Sequence, residues 1–185
     1  MPWCRKDISF PGAWGEGSHI GLFTREQLSS FVDIYADVFK NTLLIGQTSV
    51  PWLTERSDQT VIGWRADCIG KPDLTYEMLP PKVEKMGDTW KKGHISFEAY
   101  LLLGEWDRQG WDLDKIIETL LSWHVSTFNA KSLPIPFKWK DKIDDWVAKM
   151  GYHFVIDEVE TQTAVKHGEP LALKIVVDNV GVAPI

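Results

Sequence analysis

The sequence predicts an α/β fold in which parallel strands are joined by helices, giving way near residue 152 to β structure without helices. Short apolar runs recur, each ending in a glycine or a charged residue. The clearest is Gly93-His94-Ile95-Ser96-Phe97-Glu98-Ala99-Tyr100, where Ile95 and Phe97 share one side of the alternation and Glu98 stands at the exit. Between these runs lie stretches with apolar residues at helical spacing. From about Tyr152 strand-like runs follow one another directly, as at the start of an antiparallel region. In a barrel or open sheet of parallel strands the residues at the carboxyl ends converge on one site, so these exits read as the rim of an active site.

Taken in order, Asp7-Ile8-Ser9-Phe10 is a strand leaving through the glycine-dense Pro11-Gly12-Ala13-Trp14-Gly15-Glu16-Gly17. Thr24-Arg25-Glu26-Gln27 has the form of a capping box. Leu28, Phe31, Val32, Tyr35, Val38 and Phe39 then mark a helix with one buried face. Thr42 to Gly46 and Thr60 to Arg65 are the next strands, the second carrying Arg65 to its end. The long connection from Ala66 to Gly93 contains Pro72, Pro80 and Pro81 and one helix near Lys82 to Met86. Its length predicts a lid or binding loop.

After the Glu98 strand, Leu101 to Gly110 reads as a loop holding Glu105, Trp106 and Asp107. Asp112 is the expected N-cap of a helix with Leu113, Ile116, Ile117, Leu120 and Leu121 on one face. Trp123 to Phe128 is the expected fifth strand, with His124, Asn129 and Lys131 at or beyond it. A last helix carries Trp139, Ile143, Trp146, Val147 and Met150 on its buried side and stops at Gly151. His153 to Val159 and Leu171 to Val177 are strands. The expected division is residues 1–151 and residues 152–185.

With 44% hydrophobic and 25% charged residues among 185, the chain has the make-up of a globular protein with a real core. The net charge of −6, with Lys and Arg scattered and never in a block, argues against a nucleic-acid partner. No apolar run approaches the ~20 residues of a membrane span, and Met1 to Asp7 lacks the apolar core of a signal peptide. The polypeptide as written is expected in the cytoplasm. Cys4 and Cys68 show no metal-ligand spacing, and one bridge between them is possible. His19, His94, His124, His153 and His167 lack the H-x-x-x-H and H-E-x-x-H spacings, so no metal and no cofactor is expected. Neither a G-x-S-x-G elbow nor a phosphate-binding loop is present.

The unusual residue is Trp, 10 against 8 Phe and 4 Tyr. Trp14, Trp64, Trp106, Trp111 and Trp123 fall at or beside the expected strand ends. Indole faces stack on the apolar faces of sugar rings, which points to a carbohydrate partner; each Trp also serves as a large core filler with one N–H to satisfy.

Several of these segments resemble a known family. Gly12-Ala13-Trp14-Gly15-Glu16, Gly63-Trp64-Arg65-Ala66-Asp67-Cys68, Ser96-Phe97-Glu98, Trp123 to Ser132, Met150-Gly151-Tyr152-His153-Phe154 and Asp178 to Pro184 are similar, in that order, to the bacterial proteins called domain of unknown function 4832. Those look like glycoside hydrolases with a (β/α)8 barrel followed by a β-sandwich. The resemblance implies a partial TIM barrel, strands 4 to 8, running into the start of a C-terminal sandwich. It also implies a fragment of a larger protein, a secreted parent, and self-association through open barrel edges.

In the large barrel superfamily of retaining glycosidases the acid follows the fourth strand and the nucleophile the seventh. Carried over, these roles fall on Glu16 and Glu98, although Gly15 stands where that superfamily usually has Asn. Glu105, Asp107 and Asp67 are substitutes for Glu16. Two such carboxyls lie about 5 to 5.5 Å apart for retention and about 6.5 to 9.5 Å for inversion. Arg65 would keep Glu98 ionised. Trp14, Trp64, Trp106, His124, Asn129 and Lys131 would, with Arg65, bind substrate. The competing expectation is a non-catalytic carbohydrate-binding protein on the same scaffold.

Overall fold

The computed structural model describes residues 25–48, 62–131 and 134–184, apart from the side chains of Arg25 and Leu28. The expected first strand, its glycine-rich exit with Trp14 and Glu16, Thr24 of the capping box, and Cys4 lie outside the described residues.

The described residues form a mixed α/β structure with two separate sheets. Strands β1 (Leu44–Gln47), β2 (Ile62–Ile69), β3 (Ile95–Ala99) and β4 (Thr127–Asn129) make one parallel sheet in the order β1-β2-β3-β4. Helix α1 (Arg25–Val38) precedes it. Helix α2 (Pro80–Met86) lies between β2 and β3, helices α3 (Leu103–Arg108) and α4 (Leu113–Ser122) between β3 and β4, and α5 (Lys140–Lys149) follows β4. Strands β5 (Phe154–Thr161) and β6 (Leu173–Asn179) pair antiparallel in the second sheet.

Local chemistry accounts for the helix ends. Pro80 and Pro81 open α2, where the first amides need no partner. The Asp112 carboxylate accepts the Lys115 amide at 3.1 Å and so caps α4 as expected. Helix α5 ends before Gly151, whose φ of +71° suits a glycine just past a helix.

Three expectations are corrected. Trp123 to Phe128 is not a strand: Trp123 closes α4, its amide reaching the Thr119 and Leu120 carbonyls, His124 turns through φ +58°, and β4 begins only at Thr127. The connection from Ala66 to Gly93 is no lid. Strand β2 continues through it to Ile69, and a short π-helical turn (Leu74–Met78) and α2 fold back to bury Leu74, Thr75, Leu79 and Met86. The expected loop after β3 contains α3, which buries Leu103 and Trp106.

The parallel sheet has two unlike faces. On one, Trp64 and Ala66 of β2, Ile95 and Phe97 of β3 and Phe128 of β4 pack with Leu103, Ile116, Leu120, Ile143 and Trp146 from the helices in a single core. Trp64 meets Phe97 edge-on at 5.3 Å and Phe128 meets Trp146 at 4.6 Å between ring centroids. The other face carries the alternate positions of these strands and of β1: Gln47, Arg65, Asp67, Ser96, Glu98, Thr127 and Asn129, all polar and none fully buried, with exposed Ile45 and buried Gly63 at the amino ends of β1 and β2. Parallel sheets are normally covered on both faces; among the described residues no helix covers this polar face.

Candidate functional site

Register sets the site. In β2 and β3 Arg65 lies beside Ser96, and in β3 and β4 Glu98 lies beside Asn129. Two polar rows therefore cross the sheet toward its carboxyl end, Gln47, Arg65, Ser96 and Thr127 in one and Glu98 and Asn129 in the next.

Arg65 is the hub. Its Nη2 donates to Glu98 Oε2 at 2.9 Å and also to Asp67 Oδ1. Gln47 Nε2 donates to the other Asp67 oxygen at 3.2 Å. Lys131 Nζ lies 2.7 Å from Glu98 Oε1, and Asn129 Nδ2 donates to Oε2 at 3.4 Å. Lys131 reaches back because its backbone turns left-handed, φ +63°, with its amide on the Asn129 side-chain oxygen at 2.9 Å. Cys68 near the end of β2 and Leu101 beyond β3 also hold positive φ, at +70° and +62°. Left-handed non-glycine residues are uncommon, and they gather where function constrains the backbone.

The electrostatics follow from this geometry. The hydrogen bond from Lys131 lowers the pKa of Glu98 below its ordinary 4.5; burial opposes that, and the charges of Lys131 and Arg65 add to the lowering. Burial pulls the Arg65 pKa down, but the hydrogen bonds and charges of Asp67 and then Glu98 outweigh it, so its pKa is raised. Glu98 is thus held as a carboxylate. With 23% of its side chain exposed it remains within reach of solvent. A carboxylate offers about four acceptor positions, and among the described residues three donors use three of them. Asp67 and Glu98 share one guanidinium nitrogen, so their nearest oxygens lie within about 6 Å, two hydrogen-bond lengths.

Of the expected site residues, the structure brings together Glu98, Arg65, Asn129 and Lys131, with Asp67, one of the substitutes for Glu16. Glu16 and Trp14 lie outside the described residues. Trp64 and Trp106 are corrected: at 2% and 0% exposure they are core residues with no face for a ligand, and the Trp106 indole N–H is bonded to the Tyr100 carbonyl. His124 is corrected too. It precedes β4 rather than following it, at the amino end of the sheet, where it stacks on Trp90 and its Nδ1 lies 2.8 Å from the Val182 carbonyl oxygen. Glu105 and Asp107 lie on α3 in ion pairs with Arg108 and Lys138.

Sequence reasoning missed Gln47, Ser96 and Thr127. Thr127 Oγ1 donates to Ser96 Oγ at 3.1 Å, and His94 Nε2 lies 3.0 Å from Thr127 Oγ1. Strand parity from Arg65 and Glu98 was the signal that could have found them.

Among the described residues no cluster of three or more His, Cys, Asp or Glu could hold a metal ion, and no helix is long and apolar enough to cross a membrane. Cys68 is disulfide-bonded. No family model, curated protein or solved structure matches the chain.

Proposed function

We propose that the protein is a glycoside-hydrolase-like enzyme acting on a polysaccharide or oligosaccharide, with Glu98 as its nucleophilic or charge-stabilising carboxylate. The observation that carries this reading is an ionised, partly exposed carboxylate at the carboxyl end of a parallel strand, on a polar face that no described helix covers. Such a group can attack, or stabilise, positive charge developing at a sugar carbon. Arg65 and Lys131 keep it ionised, and Asn129 orients it and can meet a sugar hydroxyl.

The second carboxylate is Glu16 in the family-based reading, while Asp67 is the acidic group described beside Glu98. Strands in consecutive order with helices on one face suit an arc of a (β/α)8 barrel, in which the outer edges of β1 and β4 would meet further barrel strands or another copy. Strands β5 and β6 would then begin the sandwich, from residue 152.

A second reading, a non-catalytic carbohydrate-binding protein, is favoured by the ion pairs that already neutralise Glu98. Glu98→Gln separates the two on a panel of polysaccharides and oligosaccharides. A hydrolase releases reducing ends as wild type and loses that activity in the variant while glycan binding persists. Unchanged turnover removes Glu98 from the mechanism. Binding without turnover in both supports the second reading, and no binding and no turnover in either sinks the carbohydrate assignment.

A further inference from the structure

The β5–β6 sheet is small and its two outer edges differ. Both are unpaired among the described residues, and an unpaired edge is a template for another strand. Strand β5 is guarded: its register slips between Ile156 and Glu158, and Asp157, Glu158 and Glu160 load it with negative charge. Bulges and like charges are the usual means of blocking edge pairing. Strand β6, Leu-Lys-Ile-Val-Val-Asp-Asn from Leu173 to Asn179, has one cation and one anion placed symmetrically about Val176.

We propose that β6 is a self-pairing edge, through which two copies of this chain join antiparallel about a two-fold axis at Val176. In that register Lys174 of each copy stands opposite Asp178 of the other, and Ile175 opposite Val177. An interface of this kind is isologous, so each favourable pair occurs twice. Shifting the axis to Ile175 or Val177 places the charges against apolar residues, so charge complementarity selects the Val176 register.

The row extends into each hairpin. Lys174 is already beside Glu160, 2.8 Å from its Oε1, so the pairing sets Glu160, Lys174 and the partner's Asp178 in alternating sign. On the opposite face, Val159, Ile175 and Val177 are 53%, 48% and 50% exposed. Pairing makes that apolar surface continuous across both copies, and β-branched residues facing each other across strands stabilise a sheet.

The test is the molar mass in solution of the wild-type chain and two variants. Wild type should run as two chains, with the outward amides of β6 protected from hydrogen exchange. Asp178→Lys sets two lysines opposite each other at both ends of the pairing and should weaken the dimer roughly tenfold or more. The triple variant Glu160→Lys, Lys174→Glu, Asp178→Lys inverts the whole row and should restore it, which separates lost complementarity from a damaged fold. A single-chain mass for wild type overturns the proposal; if β6 amides are protected in that monomer, another segment of the chain occupies the edge. A dimer indifferent to Asp178→Lys, or a triple variant that stays monomeric, also overturns it.

Discussion

Neighbouring residues of β2 and β3 live in different surroundings. Trp64, Ala66, Ile95 and Phe97 lie under the helices and are almost wholly excluded from water, whereas Arg65, Asp67, Ser96 and Glu98, one residue along, keep partial access to it. The period-2 geometry of a strand separates the two sets. Apolar burial on the helix side supplies the stability that fixes the strands. The polar side is thereby free to hold charges that a packed core would not tolerate. The lesson is a division of labour by parity: the residues that hold the backbone still are the neighbours of those that carry the chemistry.

The largest loss of stability is expected on the helix side. Trp106 is completely buried against Gly70, Trp111 and Phe128. Trp106→Ala should cost about 3–5 kcal/mol in urea unfolding, and a loss below ~1 kcal/mol would mean the helix side does not carry the fold. A smaller effect sharpens the other side. Gly63 lies on the polar face, where a Cβ would stand 2.1 Å from the His94 carbonyl oxygen and 2.5 Å from its nitrogen. Gly63→Ala should cost about 1–3 kcal/mol by forcing β2 and β3 apart. Full tolerance would show that the strands can separate there without penalty.

The smallest effect is a pH dependence with two windows. Burial lowers the His94 pKa below 6.5, so its contribution to stability is present above that value and is lost as pH falls from there through the folded pKa. Glu98 is also lowered, so its contribution is present above about 4.5 and is lost as pH falls through its own depressed value. Unfolding curves at stepped pH should show the second loss shrink in Lys131→Met. A second loss of equal size in wild type and variant would remove Lys131 as the chief cause.

The parallel strands were legible because Ile95, Phe97 and Glu98 alternate cleanly and Asp112 announces its helix. The same parity that places Arg65 on the open face puts Trp64 on the other, so the expectation that both line a ligand site contradicted itself within the sequence. Trp106 misled for another reason: a six-residue helix hidden in an apparent loop turned it inward. The run from Trp123 to Phe128 is short and apolar, a pattern shared by strands and helix ends. Reading it as strand made His124 part of β4 and let it be grouped with Asn129 and Lys131, although it sits in the turn before β4, at the other end of that strand. Lys131 was legible as a residue near a strand end, but its return to Glu98 depends on a left-handed turn that its residue type does not announce.

The central claim, that the polar face holds Glu98 as a carboxylate open to solvent, is most directly tested by titrating the Glu98 side-chain carboxyl carbon by NMR in wild type and in Lys131→Met. The expected result is a wild-type midpoint below 4.5 that moves upward in the variant. A wild-type midpoint at or above 4.5, or one that Lys131→Met leaves in place, would contradict it.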